Sequence, residues 1–209
     1  MKELLVVLLL GLGVTSQAGE TETGIGYSMN GTLTSNYVWR GMTQNNESGA
    51  VQGGVDLDYK GVYVGAWGSS LTNGTEADFY GGYANSAFGI DYDLGYISYR
   101  YSADKSLNFE EAYLTLGKTF LDDKLSVSAS YFVGIDQATD YVEGSVGYDF
   151  DYFTVAGTYG YYDAMGQNYT ATISKSLTEN IEISGGFSAF DNENGRVDQT
   201  SFVALNFSI

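Results

Sequence analysis

The sequence predicts an all-β chain, a closed antiparallel up-and-down barrel of about twelve strands that crosses a membrane. Three observations point there: apolar residues recur at a period of two along nearly the whole chain, connections alternate between tight and longer, and Tyr clusters near predicted strand ends.

The strands come first. In residues 26–40, Tyr27, Met29, Leu33, Tyr37 and Trp39 share one parity, while Ser28, Asn30, Thr32, Thr34, Asn36 and Arg40 share the other. Successive side chains of a strand point to opposite faces, so this stretch has one apolar and one wet face. Leu125, Val127, Ala129, Tyr131 and Val133 alternate in the same way with Ser126, Ser128, Ser130 and Phe132. The pattern places strands at 26–40, 50–60, 62–70, 76–85, 88–101, 109–120, 124–135, 141–150, 152–162, 168–177, 180–190 and 199–209. Ten strands result if the stretch 76–85 and a neighbour are not separate crossings.

The connections come next. Tight turns fall at Lys60-Gly61, Asn85-Ser86-Ala87, Leu121-Asp122-Asp123, Asp149-Phe150-Asp151 and 177–180. Longer, more polar loops are expected at 41–49, 70–75, 102–108 and 191–198. Short turns at one end and longer loops at the other are the arrangement of outer-membrane barrels. A soluble β-sandwich also alternates, but it covers its polar face with Lys and Glu. Here that face is mostly Ser, Thr, Gly, Asn and Asp, and Tyr27, Tyr59, Tyr131 and Tyr148 suit interfacial girdles.

Residues 1–18 read as a cleaved secretory signal. Lys2 precedes the apolar run 4–14, and Ser16-Gln17-Ala18 offers small residues at the cleavage site. The run is shorter than the ~20 residues of a spanning helix. The barrel would then occupy 19–209, in the outer membrane of a bacterium.

Composition excludes most chemistry. The 209 residues include no Cys and no His, which removes disulfides, thiolate or imidazole metal sites, and His-based acid–base catalysis. Twenty-six acidic residues against nine Lys plus Arg give a net charge of −17 and argue against nucleic acid. Asp56/Asp58 and Asp91/Asp93 are i, i+2 carboxylate pairs, roughly 7 Å apart on one strand face. Nothing supplies a sugar cleft, so no glycosidase and no enzyme activity is assigned. Asp191-Asn192-Glu193-Asn194 lacks the later Glu of a calcium loop, so neither a metal nor a cofactor is assigned.

The segment LTSNYVWRGMTQN (33–45) resembles the N-terminal signature of the TorF family of Gram-negative porins. KGVYVGAWGSSL (60–71), EADFYGGY (76–83) and FGIDYDLGYISYRY (88–101) resemble that family's following blocks, in order and spacing. The likeness spans about residues 32–101 and implies an outer-membrane channel. Its C-terminal strand would engage the barrel assembly machinery; Ile209 stands where an aromatic is usual, with Phe207 two positions back.

With the apolar parity facing lipid, Arg40, Asp56, Asp58, Asp78, Asp91, Asp93, Glu111 and Glu143 are the candidate pore-lining residues, and Glu182 shares their face. Carboxylates in a low-dielectric wall focus a negative potential that favours cations. The expected function is passive diffusion of small hydrophilic solutes, cationic or neutral, with outer-membrane lipids as surroundings. The alternative is a non-conducting structural or surface-interaction barrel, because Tyr63, Trp67 and Phe132 also point inward and narrow the lumen. The expected behaviour of the mature chain is refolding into detergent with an electrophoretic mobility that changes on boiling. Soluble, monomeric behaviour without detergent would end the membrane reading.

Overall fold

Alternation becomes a wall in the computed structural model, which describes residues 19–20, 24–135 and 139–209. The signal-peptide expectation for 1–18 lies outside the described residues. Twelve strands form the barrel: β1 (Gly26–Thr34), β2 (Ala50–Tyr59), β3 (Val62–Ser70), β4 (Thr75–Ala87), β5 (Ile90–Tyr101), β6 (Phe109–Phe120), β7 (Leu125–Ile135), β8 (Tyr141–Asp149), β9 (Thr154–Tyr162), β10 (Gly166–Ser176), β11 (Ile181–Asn192) and β12 (Val197–Ser208). Each pairs antiparallel with its sequence neighbours. The ring closes where β12 meets β1, from Ala204↔Thr34 to Ser208↔Asn30. Closure leaves no lateral edge for lipid to contact, as backbone inside a bilayer requires.

The parity read from the sequence is the parity of the wall. Leu33, Val55, Leu114, Val127, Val146 and Phe187 project outward and are exposed. Tyr27 and Tyr59 lie outside near the tight-turn end, and Tyr131 near the other. Ser130, Phe132, Tyr141, Asn168 and Ser188 project inward and are buried.

Two boundaries differ from the sequence reading. The turn expected at 85–87 lies at Phe88-Gly89, because β4 and β5 pair as far as Ala87↔Ile90. Both turn residues have positive φ, 56° and 73°, the backbone a two-residue hairpin needs. More consequentially, β1 ends at Thr34 rather than at 40. Thr34 Oγ1 donates to the carbonyl of Asn36 (2.8 Å), and Asn36 Nδ2 donates to Thr200 Oγ1 (2.7 Å), turning the chain off the wall. Val38–Trp39 and Met42–Thr43 then pair as a small hairpin, folded into the barrel interior. Of the loops expected to be long, 71–74 and 193–196 are short, because the strands beside them run further than the alternation suggested.

Inward glycines make room for inward tyrosines. The Tyr80 ring lies over Gly65 and the Tyr113 ring over Gly95, each on the neighbouring strand; an added Cβ would sit 2.2 and 2.4 Å from ring atoms. This is the packing by which aromatics cover glycines in curved sheets.

A charge on the outer face should cost far more than one on the inner face. Val146→Arg, outward at mid-strand in β8, should destabilise the barrel by ~2–4 kcal/mol. Ser145→Arg, inward beside it, should cost clearly less. Urea unfolding in lipid vesicles measures both, and equal costs would contradict the observed inside–outside assignment.

Candidate functional site: the barrel interior

The interior hairpin brings a cation to a buried carboxylate. Its turn is Arg40-Gly41, with φ of 45° and 84°. Gly41 passes so close to the opposite wall that a Cβ would lie 2.6 Å from Asn168 Cβ and 2.9 Å from the Ala189 carbonyl oxygen. Glycine is therefore required by both conformation and space. Arg40 donates from Nη1 to Glu111 Oε1 (2.8 Å) and from Nη2 to Oε2 (2.9 Å), with side chains 6% and 1% exposed. Arg40 Nη1 also donates to the Tyr162 hydroxyl, and Tyr99 donates to Glu111 Oε2 (3.1 Å). The guanidinium stacks over Trp39, Phe132 and Tyr141, 4.5, 4.3 and 4.1 Å from their centroids. A planar, delocalised cation suits this setting, since it accepts a bidentate carboxylate and aromatic faces at once.

Around this pair the interior is packed. Tyr63, Tyr80, Tyr99, Tyr113, Tyr141 and Tyr162 belong to one buried cluster against which Trp39, Trp67 and Phe109 pack. Below their loop-end rings, the inward positions of β7 to β11 carry small hydroxyls instead. Ser145 bonds Thr158 (2.8 Å) and Thr170 bonds Ser188 (2.6 Å) across neighbouring strands.

The carboxylates named from sequence separate into two groups. Asp56, Asp58, Asp91 and Asp93 lie near the tight-turn mouth, on the lower parts of β2 and β5. Tyr80 donates to Asp56 Oδ1 (2.7 Å), Tyr63 donates to Asp93 Oδ1 (2.7 Å), and Ser86 donates to Asp91. Asp58 lies beside Gly26 and is exposed. Among the described residues none of these four forms an ion pair, so the mouth keeps its negative charge. Asp78, Glu111 and Glu143 lie toward the opposite end: Glu111 is neutralised by Arg40, Glu143 accepts from Tyr141 (2.9 Å), and Asp78 is fully buried. Glu182 accepts from Asn206 Nδ2 (3.3 Å) on the hydroxyl-lined side.

Sequence reasoning passed over Glu76, which is buried two positions before Asp78 on the same face of β4. The shared parity was the available signal. Most of the tyrosine layer was passed over too, because inward tyrosines look the same in sequence as girdle tyrosines. The acidic run 191–194 is part of a turn in which Asn192 Oδ1 accepts from the backbone N–H groups of Asn194 (3.0 Å) and Arg196 (3.1 Å).

Removing Arg40 should be costly because Glu111 would stay buried without its partner. Arg40→Met should destabilise by ~3–5 kcal/mol, and adding Glu111→Gln should recover much of that loss. Chemical unfolding of the single and double variants gives the coupling; additive effects would show that the pair does not hold the hairpin.

Comparison with solved structures finds barrels. A structure described as "KdgM porin" superposes with a TM-score of 0.68 at 12% identity, covering 87% of this chain and 99% of that one. A second, "KdgM porin in complex with disordered oligogalacturonate", gives 0.66 at 13% identity over 87% and 99%. The NanC porin gives 0.55 at 12% identity over 87% and 97%. At these identities the likeness shows the fold. No curated protein matches. A family model described as "Bacterial protein of unknown function (Gcw_chp)" matches residues 18–194. That match covers most of the chain, which therefore belongs to the Gcw_chp family of bacterial proteins.

Proposed function

We propose that the chain is an outer-membrane, porin-like channel for passive diffusion of small hydrophilic solutes, cationic or neutral. The signal-like residues 1–18 and the resemblance to TorF porins over 32–101 are consistent with that location and role. The observation that carries the reading is a closed barrel, apolar outside, whose interior holds at one mouth four aspartates that form no ion pair among the described residues, with small hydroxyls along one side. Field lines concentrate in such a low-dielectric tube, so unpaired carboxylates raise the local concentration of cations. One KdgM structure is described with oligogalacturonate, a polyanion. The acidic mouth here disfavours a polyanion and favours the opposite charge. No catalytic role is assigned to any residue.

A second reading has its own support. The Arg40 hairpin and the tyrosine cluster fill the interior from Tyr63, near the tight-turn end of β3, to Tyr141 and Tyr162 at the loop ends of β8 and β9, as a non-conducting structural barrel would require. Conductance separates the two.

In planar bilayers the refolded protein should pass K⁺ in preference to Cl⁻. The preference should shrink between 0.1 and 1 M salt as the screening length falls from about 10 to about 3 Å. Asp91→Asn with Asp93→Asn should move the zero-current potential toward anion permeability, and Asp191→Asn with Glu193→Gln should do much less. Arg40→Ala should raise conductance by loosening the hairpin. Anion selectivity, or indifference to the mouth substitutions, would remove these aspartates from the mechanism. A barrel that never conducts, with or without Arg40, would establish the structural reading.

A further inference from the structure

Two buried carboxylates on β4 have no cationic partner among the described residues, although Tyr99, across from Asp78, donates to Glu111. Asp78 is 0% exposed, and among the described residues no donor reaches either of its carboxylate oxygens. Glu76, two positions away on the same face, accepts from the Tyr101 hydroxyl at Oε1 (2.7 Å) and also takes a side-chain hydrogen bond from Tyr37, while its buried Oε2 has no partner of its own. Their cross-strand neighbours are Trp67 and Tyr99 for Asp78, and Ser69 and Tyr101 for Glu76. Tyr37 from the interior segment packs edge-on against Trp67, with centroids 5.6 Å apart. Among the described residues no Lys or Arg pairs with either carboxylate, and Arg40 is committed to Glu111.

Burying an unpaired carboxylate costs several kcal/mol, and a second one beside it adds repulsion. The charge must therefore be balanced by something other than a Lys or Arg of the described residues, either protons or a cation from outside the chain. We propose that Glu76 and Asp78 bind an inorganic cation between β4 and the Tyr37–Trp67 contact, a site separate from the aspartates of the tight-turn mouth. Three free carboxylate oxygens form an oxygen-only donor set, which suits a hard ion; Ca²⁺ also matches the two negative charges, and Na⁺ is the monovalent case. Aromatic faces around the pair add attraction for a positive charge while excluding water. The bound ion would tie β4 to the interior segment at Tyr37, with Tyr99 of β5 standing between it and the Arg40–Glu111 pair. The inference concerns binding and holds whether or not the barrel conducts.

The test uses the full mature chain refolded in detergent at neutral pH and constant ionic strength, with choline chloride as background. CaCl₂ and NaCl are titrated in separately. Trp39 and Trp67 are the two tryptophans of the chain, and Trp67 beside Asp78 serves as reporter. The expected result is a saturable fluorescence change, a higher unfolding temperature than in choline, and a single retained ion per barrel after desalting, read by atomic emission. Asp78→Asn should weaken binding at least about tenfold, whereas Asp191→Asn with Glu193→Gln should leave it intact. If Asp78→Asn fails to fold, Glu76→Gln replaces it, and the comparison of ions on the unsubstituted protein needs no variant. An unfolding temperature and fluorescence identical in choline, Na⁺ and Ca²⁺ would overturn the inference, because the pair would then be balanced by protons alone. A cation response that survives Asp78→Asn and disappears with the Asp191/Glu193 substitutions would also overturn it.

Discussion

Closure of the sheet is the constraint from which the rest of the molecule follows. In hydrocarbon an unpaired backbone N–H or C=O has no water to turn to, so a sheet survives there when its first and last strands meet. β12 meets β1 over a short stretch, ending at Ala204↔Thr34, because the chain leaves the wall at Ser35. The Ser35 N–H still donates to the Val203 carbonyl (2.8 Å), and the Ser35 hydroxyl receives the Val203 N–H (2.9 Å). Above that point side chains take over, as Thr200 contacts Asn36 and Glu47. The seam is thus shortened at the loop end, where the departing segment turns into the barrel.

That departing segment decides the electrostatics of the interior. An isolated carboxylate at the position of Glu111 would bear the full cost of a buried, unpaired charge. Arg40 reaches it because the hairpin turn lies against β10 and β11 at Gly41. The same arginine takes its remaining contacts from rings on β7, β8 and β9. One residue therefore joins β6 to three other strands across the lumen, a cross-brace no wall hydrogen bond provides.

The remaining interior acids lack such a partner, and their environments differ. At the tight-turn mouth, tyrosine and serine hydroxyls donate to Asp56, Asp91 and Asp93 without cancelling their charge. Deeper in the loop half, Glu76 and Asp78 are packed among rings. A uniform ring of acids would give a uniform field. This division instead gives acids without ion pairs near the tight-turn end, and toward the other the Arg40–Glu111 pair beside the buried Glu76 and Asp78.

Much of this was fixed by the chain's local pattern. A period of two assigns Asp56, Asp58, Asp78, Asp91, Asp93, Glu111 and Glu143 to one face, and the wall keeps that assignment because a strand has no other way to place alternate side chains. The count of twelve strands and the position of most tight turns follow from the same pattern. Local pattern could not distinguish a strand continuing through Tyr37 and Trp39 from a segment leaving the wall, since both place apolar rings against apolar surroundings. Nor could it show that Glu111 would meet an arginine 71 residues earlier in the chain, or that Asp78 would meet none. Those outcomes depend on which side chains share the lumen once the sheet has closed, so tertiary structure alone decided them.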